Sequence, residues 1–318
     1  MLQLKSTLAL GLSLLVSSTL AKDGELSSDL VGCKEVSCPL EDFEDRCAVG
    51  DDVFLGIGLS RIPDVPSSLS GFSLVKGVNV STPLDGGNSV TRPFRSVYYL
   101  GTPPDIEAKD LSGCVVVFHD SPSDVFNGST VEGSNTGDET RSASGTCFDV
   151  IGKTCIEKVT EKATKSVKEA GGNCTTLEQE LKKFSLDKCD RFADAGGKLG
   201  NFSVKALDDL VAVKNSTNCW PIQPKADQLI EIGSFITLRD YTANAMVEEA
   251  WKITPVLTVF TGKGNNSLVD ETVSQLTCMK VVTHLAPPPD SYKNSAVAVK
   301  VSGFAAGIAV LAGIFAFL

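Results

Sequence analysis

The residues of this 318-residue chain that could do chemistry are two histidines, ten cysteines and thirty-nine acids. A hydrolase built on a Ser–His–Asp relay needs a histidine as general base and a serine presented to it. His119, beside Asp120 at the end of the apolar run GCVVVFHD (113–120), is the best catalytic-looking spot. No G-x-S-x-G presents a nucleophile, so His119 is expected as a surface residue at a strand end. His284, just before the prolines of APPPDSYKN, reads as the end of a domain. Asp105, Glu107, Asp240, Glu248 and Glu249 are among the acids that could form a glycosidase pair. Such a pair is set by distance in space, roughly 5–10 Å, and not by spacing in the chain. Gly56 and Gly58 in FLGIGL lack the third glycine of a nucleotide fingerprint, and no phosphate loop, calcium loop or H-E-x-x-H occurs. No catalytic residue and no cofactor is assigned.

The cysteines carry a stronger signal. Cys33, Cys38, Cys47, Cys114, Cys147, Cys155, Cys174, Cys189, Cys219 and Cys278 are even in number and include no C-x-x-C. Metal ligation is therefore not expected, and up to five disulfides of a secreted chain are. Asn-x-Ser/Thr sequons stand at Asn79, Asn127, Asn173, Asn201, Asn215 and Asn265. Each needs an exposed backbone to accept a glycan, and together they agree with the secretory route.

Both ends of the chain carry addresses. Lys5 precedes an apolar run from about Leu8 to Val16, and Thr19 and Ala21 are the small residues a signal peptidase reads before Lys22. The run is too short to span about 30 Å of hydrocarbon. At the other end Asn294, Ser295 and Ala296 are followed by a spacer with Lys300 and an uncharged apolar stretch to Leu318. That is the order of a glycosylphosphatidylinositol (GPI) attachment signal, with Asn294 as the attachment residue. A transmembrane helix is the competing reading, but no cytoplasmic Lys or Arg follows to orient it. With both signals removed, Lys5 and Lys300 are lost and no acid is, so the charge becomes 27 − 39 = −12. Such a balance speaks against nucleic acid or anionic lipid as a partner.

The elements that position these residues change texture along the chain. Residues 1–21 read as the signal peptide and 22–50 as a cysteine-rich segment. Residues 51–126 are strand-rich, with candidates VFLGIGL (53–59), GFSLVKGVNV (71–80), RSVYYLG (95–101) and the run ending at His119. In the second of these, Phe72, Leu74, Val78 and Val80 share one face at period two, which places Asn79 on the solvent side. Residues 127–146 are rich in Ser, Thr and Gly and read as a flexible loop. Residues 147–219 read as a helical insertion. A first helix runs from Thr154 to Ala170 on Ile156, Val159, Ala163, Val167 and Ala170, opened by Thr154-x-x-Glu157 and closed by Gly171-Gly172. A second opens at Thr175-x-x-Glu178 with Leu177, Leu181 and Phe184, and a third rests on Val204, Leu207, Leu210 and Val211. The first two as an antiparallel hairpin would bring Cys155 to Cys189. The alternating charges of EKVTEKATKSVKE read as a solvated helix face.

Strand texture returns over 220–285, in SFITLRDYT (234–242), ITPVLTVFTG (253–262) and SQLTCMKVVTHL (274–285). Residues 286–294 link the domain to the anchor, and 295–318 are the attachment signal that is removed. Strands, helices, strands define an α+β fold: a β-sandwich-like sheet built from the N- and C-terminal parts, with a disulfide-stapled helical insertion. Cys114 and Cys278, each in an expected strand, would bridge the two halves.

The signal, the N-S-A site with its apolar end from Asn294 to Leu318, the sequons and the even cysteine set together resemble the GPI-anchored surface proteins of filamentous ascomycete fungi. That resemblance implies a class of cell-surface protein and no particular reaction. The leading expectation is a non-catalytic surface or cell-wall protein that binds glycan or protein. The nine residues of APPPDSYKN reach about 28 Å when fully extended as polyproline II, which keeps the domain near the membrane. The alternatives are a wall-remodelling glycosidase or transglycosylase, although Trp220, Trp251 and few tyrosines are a thin inventory for sugar stacking, and a shed interaction protein or effector.

Overall fold

The computed structural model describes residues 47–50, 52–54, 56–80, 91–103, 105–119, 151–190, 192–194, 196–213, 228–242, 252–262 and 267–281, together with residues 30, 32, 147, 245 and 249. Among the described residues, ten strands and two α-helices are defined. The strands are β1 (Cys47–Val49), β2 (Asp52–Phe54), β3 (Gly56–Arg61), β4 (Ser73–Val80), β5 (Thr91–Thr102), β6 (Gly113–Phe118), β7 (Phe202–Ala206), β8 (Gln228–Asp240), β9 (Thr254–Phe260) and β10 (Val273–Met279). The helices are α1 (Lys153–Glu169) and α2 (Cys174–Lys183). The fold is α+β, as the alternation of textures predicts. All seven expected strand runs contain a strand, with VFLGIGL divided between β2 and β3.

Every strand pairing is antiparallel, and each large sheet mixes the two ends of the chain. One four-stranded sheet has the order β3-β4-β5-β8 and the other β10-β9-β6-β7; β1 and β2 form a separate hairpin. Side-chain parity explains the layering. On β6, Val115 and Val117 enter a cluster shared with Leu74, Tyr98, Leu100, Ile230 and Ile232 of the first sheet. Cys114, Val116 and Phe118 enter another cluster with Val159, Ala163 and Val167 of α1 and Leu177 and Leu181 of α2. An unbroken apolar run is what a strand covered on both faces requires. A third cluster lies on the outer face of the first sheet, where Phe54 packs with Val75, Val97 and Tyr99. Gly77 makes room for it: a Cβ there would lie 2.6 Å from the Phe54 ring.

The two helices form the expected antiparallel hairpin. Lys162 Nζ meets Glu180 Oε2 at 2.6 Å, and Lys158 Nζ donates to Asp187 O at 3.0 Å. Gly171 and Gly172, both at positive φ, end α1, and the Gly172 N–H donates to Val167 O at 2.9 Å. The start signals differ from expectation. Gly152 is the N-cap of α1 with no side-chain cap, so Thr154 lies inside the helix. For α2 the cap is Asn173, whose Oδ1 accepts from Thr176 N at 3.1 Å, and not Thr175. Among the described residues, no helix is long and apolar enough to cross a membrane.

Two expectations fail. Val204 and its neighbours form β7, not a third helix: Phe118 pairs with Phe202 and Cys114 with Ala206. Sheet pairing and burial of Phe202 and Val204 against the helical layer override the helical spacing. Cys114 does not bridge to Cys278. It is bonded to Cys174, Cys147 is bonded to Cys278, and Cys155 is bonded to Cys189 as expected. Cys114 and Cys278 lie on β6 and β10, which are separated by β9, so their side chains do not meet. Cys47 opens β1; Cys33, Cys38 and Cys219 lie outside the described residues.

The Cys147–Cys278 bond closes the largest separation of the three, 131 residues. In the loop-entropy view the constraint grows with loop length. The pair substitution C147S/C278S is expected to lower the unfolding free energy in urea by about 2–5 kcal/mol. Peptide mapping of the unreduced protein should recover the three pairs named here.

Candidate functional site

Among the described residues, a group of buried polar side chains lies where Glu249 and Lys252, between β8 and β9 in the chain, meet the inward rows of β4 and β5. It begins with a lysine in the middle of an apolar strand. Lys76 sits on β4 in the same inward row as Leu74 and Val78 and is fully buried. Its Nζ donates to Lys252 O at 2.7 Å and lies 3.5 Å from Glu249 O. The register places Tyr98 of β5 opposite Lys76 and Ser96 opposite Val78. Ser96 Oγ donates to Glu249 Oε1 at 3.0 Å, and Arg239 Nη1 lies 3.8 Å from Glu249 Oε2. The Tyr98 hydroxyl and Thr254 Oγ1 share a hydrogen bond of 3.0 Å.

A second group adjoins it. His119 is buried, not on the surface as its strand-end position predicts. Its ring stacks on Phe235 with centroids 4.5 Å apart and an interplanar angle of 14°, and its Nε2 meets Ser203 Oγ at 3.0 Å. The His119 N–H donates to Asn201 O at 2.8 Å. Lys252 Nζ lies 5.7 Å from the centroid of the same Phe235 ring. The residue after β6 is thus drawn inward by β7 on one side and β8 on the other, two strands whose placement only the folded chain supplies.

Burial sets the electrostatics. It pushes the Lys76 ammonium down to about 7; the Glu249 carboxylate works against this, and Lys252 adds to it. Burial likewise pushes the Tyr98 hydroxyl up, opposed by its bond to Thr254. Lys280, also buried, is pushed down to about 8 by desolvation. Glu249 is 3% exposed, with one carboxylate oxygen held by Ser96 and the other facing Arg239. A general acid or base must reach the substrate's proton. A carboxylate so enclosed is arranged instead to fix the β8–β9 connection against β5.

The other candidate acids do not join it. Asp105 and Glu107 are exposed in the β5–β6 connection, at the opposite end of β6 from His119, where Glu107 pairs with Lys109 at 2.7 Å. Asp240 is exposed and accepts from Thr91 Oγ1 at 3.0 Å. Asp120, Glu248, His284, Trp220 and Trp251 lie outside the described residues. Gly56 and Gly58 lie within β3 and form no loop. Among the described residues no group of three His, Cys, Asp or Glu side chains could hold a metal ion. An open hollow along α1, whose lining includes Glu157, Thr164, Lys165 and Ser274, has no aromatic ring in its wall.

Of the sequons, Asn173 and Asn201 are exposed. Asn173 caps α2 through Oδ1, which leaves Nδ2 for a sugar. Asn79 is half-buried, not solvent-facing, because the outer face of β4 is itself covered near β1 and β2. Asn127, Asn215, Asn265 and the attachment residue Asn294 lie outside the described residues. Comparison of the chain with protein-family models, curated proteins and solved structures finds no match.

The polar group gives two expectations. Glu249→Ala, which removes the acceptor of the buried Ser96 hydroxyl, should cost about 1–3 kcal/mol of stability, read from urea unfolding. The depressed lysines favour the folded state fully above their unfolded value near 10.5, and the gain is lost as pH falls through the folded values, about 8 for Lys280 and about 7 for Lys76. Unfolding free energy measured by urea titration should therefore climb from pH 7 towards 10. Lys76→Met should flatten the part of the rise that begins near 7. Above pH 10 the raised tyrosines act the other way, because only the unfolded chain ionises them readily.

Proposed function

We propose that this chain is a secreted, disulfide-bonded glycoprotein carried on the outer face of the plasma membrane by a GPI anchor at Asn294. Its role there is non-catalytic: short-range binding of glycan or protein, or organisation of the cell wall. The observation that carries this reading is the set of three disulfides. They tie α1, α2 and the residue before them to one another and to β6 and β10, and bonds of this structural kind persist in oxidising compartments. Exposed sequons at Asn173 and Asn201 agree with that route. The anchor itself rests on Asn294-Ser295-Ala296 and the apolar run beyond Lys300. The same combination underlies the resemblance to fungal surface proteins.

The non-catalytic part of the reading is supported by the enclosure of Glu249 and the separation of the remaining described acids. β10 ends at Met279, and the segment 286–294 adds about 28 Å at full polyproline extension. The domain then works within a few tens of ångströms of the bilayer, too near for adhesion through a thick wall.

Treating intact cells with a phosphatidylinositol-specific phospholipase should release the protein into the medium, lacking residues 295–318. Retention on the cells, with an intact 301–318 peptide found by mass spectrometry, would contradict the anchor. Release of reducing sugar from wall glucan, abolished by one Asp or Glu substitution, would overturn the non-catalytic reading separately.

A further inference from the structure

The sequon Asn173-Cys174-Thr175 has a cysteine as its middle residue, and that cysteine is bonded to Cys114 of β6. Two covalent modifications therefore share one tripeptide: a glycan at Asn173 Nδ2 and a disulfide at Cys174 Sγ. Asn173 and Thr175 are exposed, while Cys174 packs half-buried against the helical cluster. The finished fold tolerates a sugar. Asn173 Oδ1 caps α2 by accepting from Thr176 N at 3.1 Å, and this cap does not use Nδ2.

The reverse order meets an obstacle. A glycosylating enzyme must hold the amide of Asn173 and the hydroxyl of Thr175 together in its own cleft, so the tripeptide has to leave the fold. Without the disulfide that is a local opening of the first turn. α2 has ten residues, a length that is marginal without tertiary packing. With the disulfide formed, the middle residue is tied to Cys114, which is fully buried on β6 between β7 and β9. Cys114 precedes Cys174 by 60 residues, so its thiol has already been made when the sequon is synthesised. Asn201-Phe202-Ser203 provides the contrast. Phe202 pairs with Phe118 and Ser203 Oγ meets His119 Nε2 at 3.0 Å, but this sequon contains no cysteine.

We propose that the Cys114–Cys174 bond closes the Asn173 site to glycosylation, which sets a one-way order. A glycosylated chain still forms the bond, whereas a bonded chain no longer accepts the glycan. This rests on the reading of the chain as a secreted glycoprotein. In glycosylation, Asn173 Nδ2 displaces the diphosphate from C1 of a polyisoprenyl-diphosphate oligosaccharide. A C–N bond forms, the C–O bond to phosphate breaks, and the amide proton leaves with the diphosphate. In the competing step two thiols give two protons and two electrons to a protein disulfide of the secretory route, which becomes a dithiol. Whichever step comes first decides, and the protein leaves the cell in two forms.

Glycopeptide mass spectrometry of the total chain from expressing cells tests this, whether or not a variant folds. Wild type should be a mixture at Asn173, with the Cys114–Cys174 bond present in both secreted forms. Cys114→Ala leaves the sequon unchanged and should cut the unoccupied fraction several-fold. Dithiothreitol present during synthesis should do the same to the wild type and add nothing in C114A. C155S/C189S loosens the same hairpin but keeps the Cys114–Cys174 pair, and should match the wild type at Asn173. Occupancy at Asn201 should stay level in C114A. Full wild-type occupancy of Asn173, no change in C114A, or an equal rise at Asn201 or in C155S/C189S would overturn the proposal alone. Absence of glycan from every sequon in every form would overturn it together with the glycoprotein reading beneath it.

Discussion

Val115 and Val117 of β6 are buried in one cluster, and Cys114, Val116 and Phe118 in another. A strand of this kind is stable only when something covers it on each side, and the rest of the fold can be understood as meeting that demand. The first sheet supplies one cover. α1 and α2 supply the other, but short amphipathic helices are marginal by themselves and need tertiary packing to persist. The disulfides hold this second cover in place: Cys174 fixes the start of α2 to β6, Cys147 fixes the approach to α1 to β10, and Cys155–Cys189 closes the helical hairpin on itself.

Between the sheets the same demand for cover meets a lysine. Lys76 occupies a row that is otherwise apolar, and its hydrogen-bonding groups find partners only because the β8–β9 connection brings the carbonyls of Glu249 and Lys252 to it. Glu249 in turn is held from β5 and β8 by Ser96 and Arg239. An unpaired buried charge costs several kcal/mol, whereas a paired one contributes little net stability. The arrangement therefore specifies where the connection lies more than it strengthens the fold.

The elements were largely legible in the sequence because burial writes them there. Period-three-and-four spacing from Ile156 to Val167 gave α1, and β-branched runs gave the strands. What was not legible depended on which strands become neighbours. Val204, Leu207 and Leu210 have helical spacing, yet Val204 lies on a strand because β6 offers it an edge. Cys114 and Cys278 are both on strands of one sheet, but the intervening β9 is invisible until the topology is known. His119 follows its strand as a surface residue would, and only the approach of Phe235 and Ser203 from distant positions buries it. Lys76 alone left a readable trace, a cation in an inward row.

The Cys114–Cys174 bond has a consequence for how the molecule would come apart. The Ser-, Thr- and Gly-rich stretch 127–146 lies between the two cysteines, so any cleavage within it leaves both pieces covalently joined. The larger piece also keeps Cys147 bonded to Cys278. A protease could sever the chain there without detaching β1 to β6 from the C-terminal piece, and the cut would become visible only when the cysteines are reduced.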